Sequence, residues 1–330
     1  MTDTATTRQT PAGRLKNLLQ GEARPIIVVY LVAVAIFIVA MQLASNFATV
    51  NNVSTLLLQA AFIGIAALGQ TFVILGGGLD LSIPWVMTGS AIVVCRVVDG
   101  DNSKLVWVIP LTLAIAAGVG LVNGLGVAKL KVSPIVMTLG MSGVIQGAVL
   151  LYTQGQGSPS APSAIVDLAR NGIGPFTYMT MLWILLGVVA TLVLSRAAYG
   201  RRLYATGANP MVASLSGIRT STISISTYVI SGLTASLAGI MLLGYTAAPF
   251  LSMGNPYLFT SIAAVALGGT SILGGQGGYL GTIGGALVIT LLGALLPILD
   301  FSQAALPIIY GVVILVAVTV ASGRFSKVGT

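Results

Sequence analysis

The sequence predicts an all-α polytopic membrane protein of about ten transmembrane helices, with both termini cytoplasmic and some spans short or broken. Three observations predict it. Of 330 residues, 56% are hydrophobic and only 7% charged, where an ordinary soluble domain carries roughly 25% charged residues. The apolar runs reach the ~20 residues that a helix needs to cross a bilayer. The basic residues also lie unevenly about those runs, as the positive-inside rule requires. That distribution accounts for the net charge of +8. No basic patch interleaved with aromatics exists, so lipid and not nucleic acid is the expected surrounding.

Residues 1–25 form a polar cytoplasmic tail with Arg8, Arg14, Lys16 and Arg24. The run 26–45 is too long for a signal-peptide core and leads into no soluble domain, so it reads as a retained first span. It opens a transmembrane unit over 26–322, and a cytoplasmic tail follows at 323–330. Further spans fall near 54–75, 84–98, 105–127, 134–153, 178–195, 223–246, 257–273, 278–298 and 303–322. The third and eighth are short, and short or glycine-broken spans are where unwound backbone can line a cavity.

Counting charges sets the topology. The inner segments hold Arg8, Arg14, Lys16, Arg24, Lys129, Lys131, Arg196, Arg201, Arg202, Arg219, Arg324 and Lys327. Only Arg96, Lys104 and Arg170 remain for the outer side. The longest outer segment, 154–177, is too small and too poor in apolar periodicity to be a domain; it either covers a pathway, meets an external partner or simply connects.

The longest polar stretch between spans is the inner segment 196–222. Within it Asn209 can cap a short helix, Pro210 suits its first position and Gly217 can take the left-handed stop. Arg196, Arg201, Arg202 and Arg219 surround it with no acid. The segment is either a basic loop that sets topology or a helix on which a cytoplasmic partner pushes.

Small residues recur four apart at Ala116, Gly120 and Gly124, at Ser231, Ala235 and Gly239, and at Gly277, Gly281 and Gly285. Such spacing brings helix backbones close in lipid, within one chain in preference to a dimer seam. The stretches Val73–Gly78 and Val265–Thr270 look alike, a faint trace of internal duplication.

Asp80, in Gly76-Gly-Gly-Leu-Asp-Leu-Ser82-Ile-Pro84, is a carboxyl group between two spans. A carboxylate at membrane depth marks a pathway or polar network; the alternative is that Asp80 or Ser82 caps the third span. The remaining in-membrane polar residues are Gln59, Gln70, Thr71, Asn123, Thr138, Ser142 and Gln146. They either line a path for a small polar solute or hydrogen-bond between helices. So few membrane charges argue against proton or sodium coupling.

Histidine is absent and Cys95 is the only cysteine, which removes the commonest general base and metal ligand and any internal disulfide. The glycine-rich Gly274–Gly278 lacks the Lys-Ser/Thr of a Walker A loop. The chain is therefore expected to bind no cofactor and to be no enzyme.

Four stretches, taken together and in order, resemble the inner-membrane permeases of bacterial ABC importers for monosaccharides, a group related to the branched-chain amino acid permeases. They are Gly77-Gly78-Leu79-Asp80-Leu81-Ser82; Asn123-Gly124 with Ser133-Pro134-Ile135-Val136-Met137-Thr138-Leu139-Gly140 and Gly147; Thr206-Gly207-Ala208-Asn209-Pro210 with Ala213, Ser216, Gly217 and Ile218; and Ile262 to Ser271, including Thr270, followed by Gly274-Gly275 and Gly277. The resemblance implies a path for a sugar or sugar-like solute, opened by alternating access. It implies a cytoplasmic ATP-binding subunit that carries the ATP and magnesium. A periplasmic sugar-binding protein and a second permease subunit, a homodimer by preference, complete the implied assembly. It also implies that 207–219 couples to the ATPase, through Asn209, Pro210, Ala213, Ser216, Gly217 and Arg219. The chain departs from the family where Met211 and Val212 follow Asn209, where Ile83-Pro84 follows Ser82, and at Gln146, Leu258 and Thr260. A branched-chain amino acid permease and an ion-coupled secondary transporter are the alternatives.

Overall fold

The computed structural model describes residues 24–156, 159–302, 305–312 and 315. The expected tails, apart from Arg24 and Pro25, and most of the expected tenth span lie outside the described residues. In chain order the helices are α1 (Arg24–Leu43), α2 (Val50–Leu75), α3 (Ile83–Val98), α4 (Leu105–Ala128), α5 (Pro134–Thr153), α6 (Ser163–Arg170), α7 (Tyr178–Arg196), α8 (Ala198–Ala208), α9 (Pro210–Leu215), α10 (Thr220–Thr246), α11 (Tyr257–Leu267) and α12 (Tyr279–Ile298). Two short strands, β1 (Gly172–Ile173) and β2 (Phe176–Thr177), pair antiparallel before α7. The chain folds as an all-α polytopic membrane protein.

Among the described residues α1, α2, α4, α5, α7, α10 and α12 are long and apolar enough to cross a membrane, whereas α3 and α11 are shorter apolar helices. Each shortening has a local cause. α2 stops at Leu75 because Gly76, Gly77 (φ +82°) and Gly78 follow, and α3 restarts with Pro84 in its first turn. α11 stops at Leu267, short of the expected residue 273, because Gly268 and Gly269 (φ +81°) end it. The two similar stretches thus do the same thing, each breaking a span with a left-handed glycine.

α2 and α10 form the centre of the bundle: 89% of the most apolar window of α2 is buried, against 11% for α5. α10 packs on α2, α3 and α4, and α12 packs on α1, α2 and α11. The small-residue stripes make these contacts within the chain. A methyl group on Gly120 would meet the Tyr228 carbonyl, one on Gly239 the Met87 carbonyl, and one on Gly281 or Gly285 the backbone of α11 or its cap. Larger apolar side chains fill the remaining space, among them Phe62, Ile65, Met87, Trp183 and Met241. Trp183 donates to the Tyr279 hydroxyl (2.9 Å), which donates to the Gly64 carbonyl (2.8 Å), pinning α7, α12 and α2 together.

Two stretches outside the expected spans also form helix. Residues 198–208, part of the polar inner stretch, form α8, because Leu203 is fully buried beneath α2 and Gly200 lets the turn close on the Leu194 carbonyl. Within 154–177, α6 buries Ile165 and Ala169, one turn apart, against the bundle.

Candidate functional site

The break between α2 and α3 is where the polar residues of the spans converge. Unwound backbone at this depth is tolerated only where its polar groups find partners. The Ser82 amide and hydroxyl both donate to Asp80 Oδ1, at 2.9 and 2.6 Å. The Ser231 hydroxyl donates to Asp80 Oδ2 at 2.7 Å from α10. Asn123 Nδ2 on α4 donates to Ser82 Oγ at 3.0 Å. Thr138 Oγ1 on α5 accepts from the Leu81 amide at 3.0 Å and lies 3.3 Å from the Leu79 carbonyl and 2.9 Å from that of Pro134. A methyl group on Gly78 would sit 2.5 Å from the Tyr228 hydroxyl oxygen, so the glycine lets this loop reach α10.

Asp80, Ser82, Asn123 and Thr138, named from sequence as candidate pathway or motif residues, are therefore one network. It holds the break against α4, α5 and α10. The capping alternative is corrected: the Ser82 side chain makes no capping bond to α3. Asp80 binds Ser82 itself and not the first amides of the helix, because its carboxyl group turns across to α10. Asp80 and Ser82 are 2% and 1% exposed, so every bond here is made out of water. Among the described residues no His, Cys, Asp and Glu group could hold a metal ion.

The second break, 268–278, sits at the same end of the bundle. Thr270 Oγ1 accepts from the Gly278 amide at 3.2 Å. The Gly275 amide donates to the Leu75 carbonyl at 3.0 Å, joining the two breaks directly. The end of α8 closes on the same point, since a methyl group on Gly207 would meet the Leu75 carbonyl and the Gly275 amide. Both broken spans and the segment leading to α9 thus touch at Leu75, Gly207 and Gly275.

α9 itself is built as its sequence signals require. Asn209 Oδ1 accepts from the Met211 and Val212 amides, both at 3.1 Å, and Pro210 takes the first position. Ser216 ends the helix, Gly217 follows at φ +81° and the Ile218 amide returns to the Ala213 carbonyl at 3.1 Å. Ala213 is buried on the inner face. The outer face presents Met211 and Leu215, 74% and 79% exposed, and Arg201 and Arg202 on α8 and Arg219 after α9 are exposed as well.

Comparison with known proteins places this arrangement. The sequence profile described as "Branched-chain amino acid transport system / permease component" matches residues 52–318. The chain belongs to this permease family. Among its relatives is the ribose import permease protein RbsC of Escherichia coli strain K12, 36% identical over 95% of this chain and 98% of that protein. The RbsC of Bacillus subtilis strain 168 is 34% identical over 85% of this chain and 88% of its own. The fructose import permease protein FrcC of Rhizobium meliloti is 30% identical over 93% and 87%. No solved structure matches the chain. A permease component carries solute across a membrane and is not an enzyme.

Two further pathway candidates, Gln70 and Gln146, are not part of the Asp80 network. Gln70 is fully buried on α2 and its amide has no partner among the described residues. Gln146 is exposed on α5, where nothing lies over Gly140, Gly143 or Gly147. Ser231 is the member that sequence reasoning missed. Its signal was present, a hydroxyl within a small-residue stripe, but the stripe explained it as packing.

Proposed function

We propose that the chain is the membrane-spanning permease subunit of an ATP-binding-cassette importer in the bacterial inner membrane, carrying a sugar or sugar-like solute. The observation that carries the coupling is α9: a short helix fixed at both ends, exposing Met211, Val212 and Leu215, with exposed arginines flanking it in the chain. Such a face has no use in water and fits a cleft with an apolar floor and an acidic rim on a cytoplasmic ATP-binding subunit. That subunit holds the ATP and magnesium, and this chain contributes Asn209, Pro210, Ala213, Ser216, Gly217 and Arg219 to the contact. The sugar class comes from the relatives named for ribose and fructose import.

Topology follows from the charge asymmetry: ten spans within 26–322, tails 1–25 and 323–330 inside, α9 inside and the segment 154–177 outside. A sugar-binding protein delivers solute there. A second permease subunit, a homodimer by preference, packs beside α5, whose open glycine face and Gln146 border the path. Asp80, Ser82, Asn123 and Thr138 shape the inner end of that path by holding its broken helix, and Thr270 does so for the second break.

Co-purification from native membranes tests this reading. An ATP-binding subunit and a soluble sugar-binding protein are the expected companions, and Met211→Asp with Leu215→Asp should release the first without affecting membrane insertion. Recovery of the chain alone, active in ion-driven uptake, would overturn it. Leucine uptake by the intact complex in place of sugar would favour the amino acid branch of the family.

A further inference from the structure

Two cavities of similar size open on this bundle, and their walls differ. One of about 350 Å³ between α3, α4 and α5 is walled mainly by apolar side chains such as Trp85, Ile115, Met141, Val144 and Val149, and offers little to a polar ligand. The other, of about 310 Å³, lies at the end opposite α9 and is lined by Asn51, Ser54, Thr55, Arg170, Thr177 and Tyr245. Its wall is assembled from the first turns of α2, the last two residues of α6, the cap of α7 and the last turn of α10.

Little of that polar capacity is used within the chain. Thr55 Oγ1 donates back to the Asn51 carbonyl at 3.0 Å and keeps its lone pairs. The Tyr245 hydroxyl accepts from Gln59 Nε2 at 3.1 Å and keeps its own proton. Thr177 caps α7 by accepting from the Thr180 amide at 3.2 Å. The Arg170 guanidinium has no ion pair among the described residues, although Asp167 stands one turn earlier on α6.

We propose that this pocket is a monosaccharide-binding site of the permease itself, placed at its outer end where solute arrives. The proposal rests on the import reading above. A guanidinium fork suits two neighbouring oxygens, and a sugar's vicinal hydroxyls present such a pair. The Ser54 hydroxyl and the Asn51 amide both donate and accept, as sugar hydroxyls do, and the Thr55 oxygen accepts; the Tyr245 ring supplies an apolar side for the sugar's C–H face. The volume lies at the small end of the roughly 300–1,000 Å³ typical of ligand pockets, which suits one sugar ring. A zwitterionic amino acid fits worse: Arg170 would take its carboxylate, but no acid lines the pocket to take its ammonium.

The test uses the purified full-length chain in lipid nanodiscs and saturation-transfer NMR with D-ribose, D-fructose and leucine as probes. A saturation signal on a sugar and none on leucine is expected. Arg170→Gln should weaken sugar binding at least about ten-fold, as the loss of a hydrogen bond to a charged group does. Thr55→Val, which keeps the side-chain shape, should weaken it less but measurably. No sugar signal in the wild type, or a signal that neither variant changes, overturns the site. Sugar uptake is measured separately, with the same chain reconstituted in sealed vesicles beside its ATP-binding and sugar-binding partners, so a failed pocket and a failed importer reading give different results.

Discussion

The Ser231 hydroxyl donates to Asp80 Oδ2 at 2.7 Å, joining residues 151 positions apart. One bond thereby ties the gap between α2 and α3 to the most central part of α10. The other Asp80 oxygen already holds Ser82, which holds Asn123 of α4. The gap is thus a fixed joint, in which both Asp80 oxygens are bonded and only Asn123 Oδ1, among the network's described side-chain atoms, is buried without a partner.

Removing parts of that joint should cost stability in a set order. Ser231→Ala removes one bond, worth about 0.5–1.5 kcal/mol. Asp80→Asn turns one acceptor into a donor and costs more. Asp80→Ala strands an amide and two hydroxyls at about 1–3 kcal/mol each. Cys95, the only cysteine, is 1% exposed, so its reaction with a thiol-reactive dye on heating reports the melting point directly. An Asp80→Ala variant as stable as wild type but altered in solute preference would make Asp80 a pathway residue instead.

Two glycines two positions apart on α4, and so on opposite faces of it, separate packing from propensity. A methyl group on Gly120 would press on Tyr228 of α10, whereas nothing lies within 4 Å of one on Gly118. Gly120→Ala should destabilise by about 1–3 kcal/mol, the usual cost of overpacking. Gly118→Ala should be neutral or stabilising, since alanine is the better helix former. The same Cys95 melting assay checks both, and equal melting points would contradict the close approach of α4 and α10.

Much of this was legible in the sequence, for a physical reason. Uncompensated polar groups are costly in apolar spans, so Asp80, Ser82, Asn123 and Thr138 had to find partners, and they found one another. Periodicity could not say which face each amide takes, so Gln146, which points away from the protomer, read the same as Asn123. The caps of α9 were legible because capping is local chemistry. The meeting of Leu75, Gly207 and Gly275 was not, because glycine loops carry no period and the contact joins three distant stretches through backbone alone.

The cap on α9 can be tested without touching its exposed face. Asn209→Ala removes the acceptor for two amides and should cost about 1 kcal/mol of local helix stability. Because α9 is exposed and short, the global melting point should hardly move. Binding of the ATP-binding subunit, measured by pull-down, should weaken, since Met211 and Leu215 lose their fixed spacing. Unchanged binding would mean that the contact lies elsewhere in 196–222.

If α9 takes the push proposed for it, that push would have a direct route to both broken spans, because α8 ends where they meet. Gly275 sits at φ +71°, and a methyl group there would lie 2.7 Å from the Ala208 backbone. Gly275→Ala therefore combines a left-handed strain of about 1–2 kcal/mol with a wedge between α8 and the end of α2. Gly278 is the matched control: its φ of 174° suits any residue and its added methyl group would meet only the Tyr204 hydroxyl, at 3.7 Å. Neither change reaches the exposed face of α9, so both variants should bind the ATP-binding subunit. Gly278→Ala should import at close to the wild-type rate. Gly275→Ala should hydrolyse ATP in the complex while importing little, because the partner's closure no longer reaches the breaks. Comparing solute imported per ATP hydrolysed in reconstituted vesicles decides it; an unchanged ratio in Gly275→Ala would show that the motion travels through α10 instead.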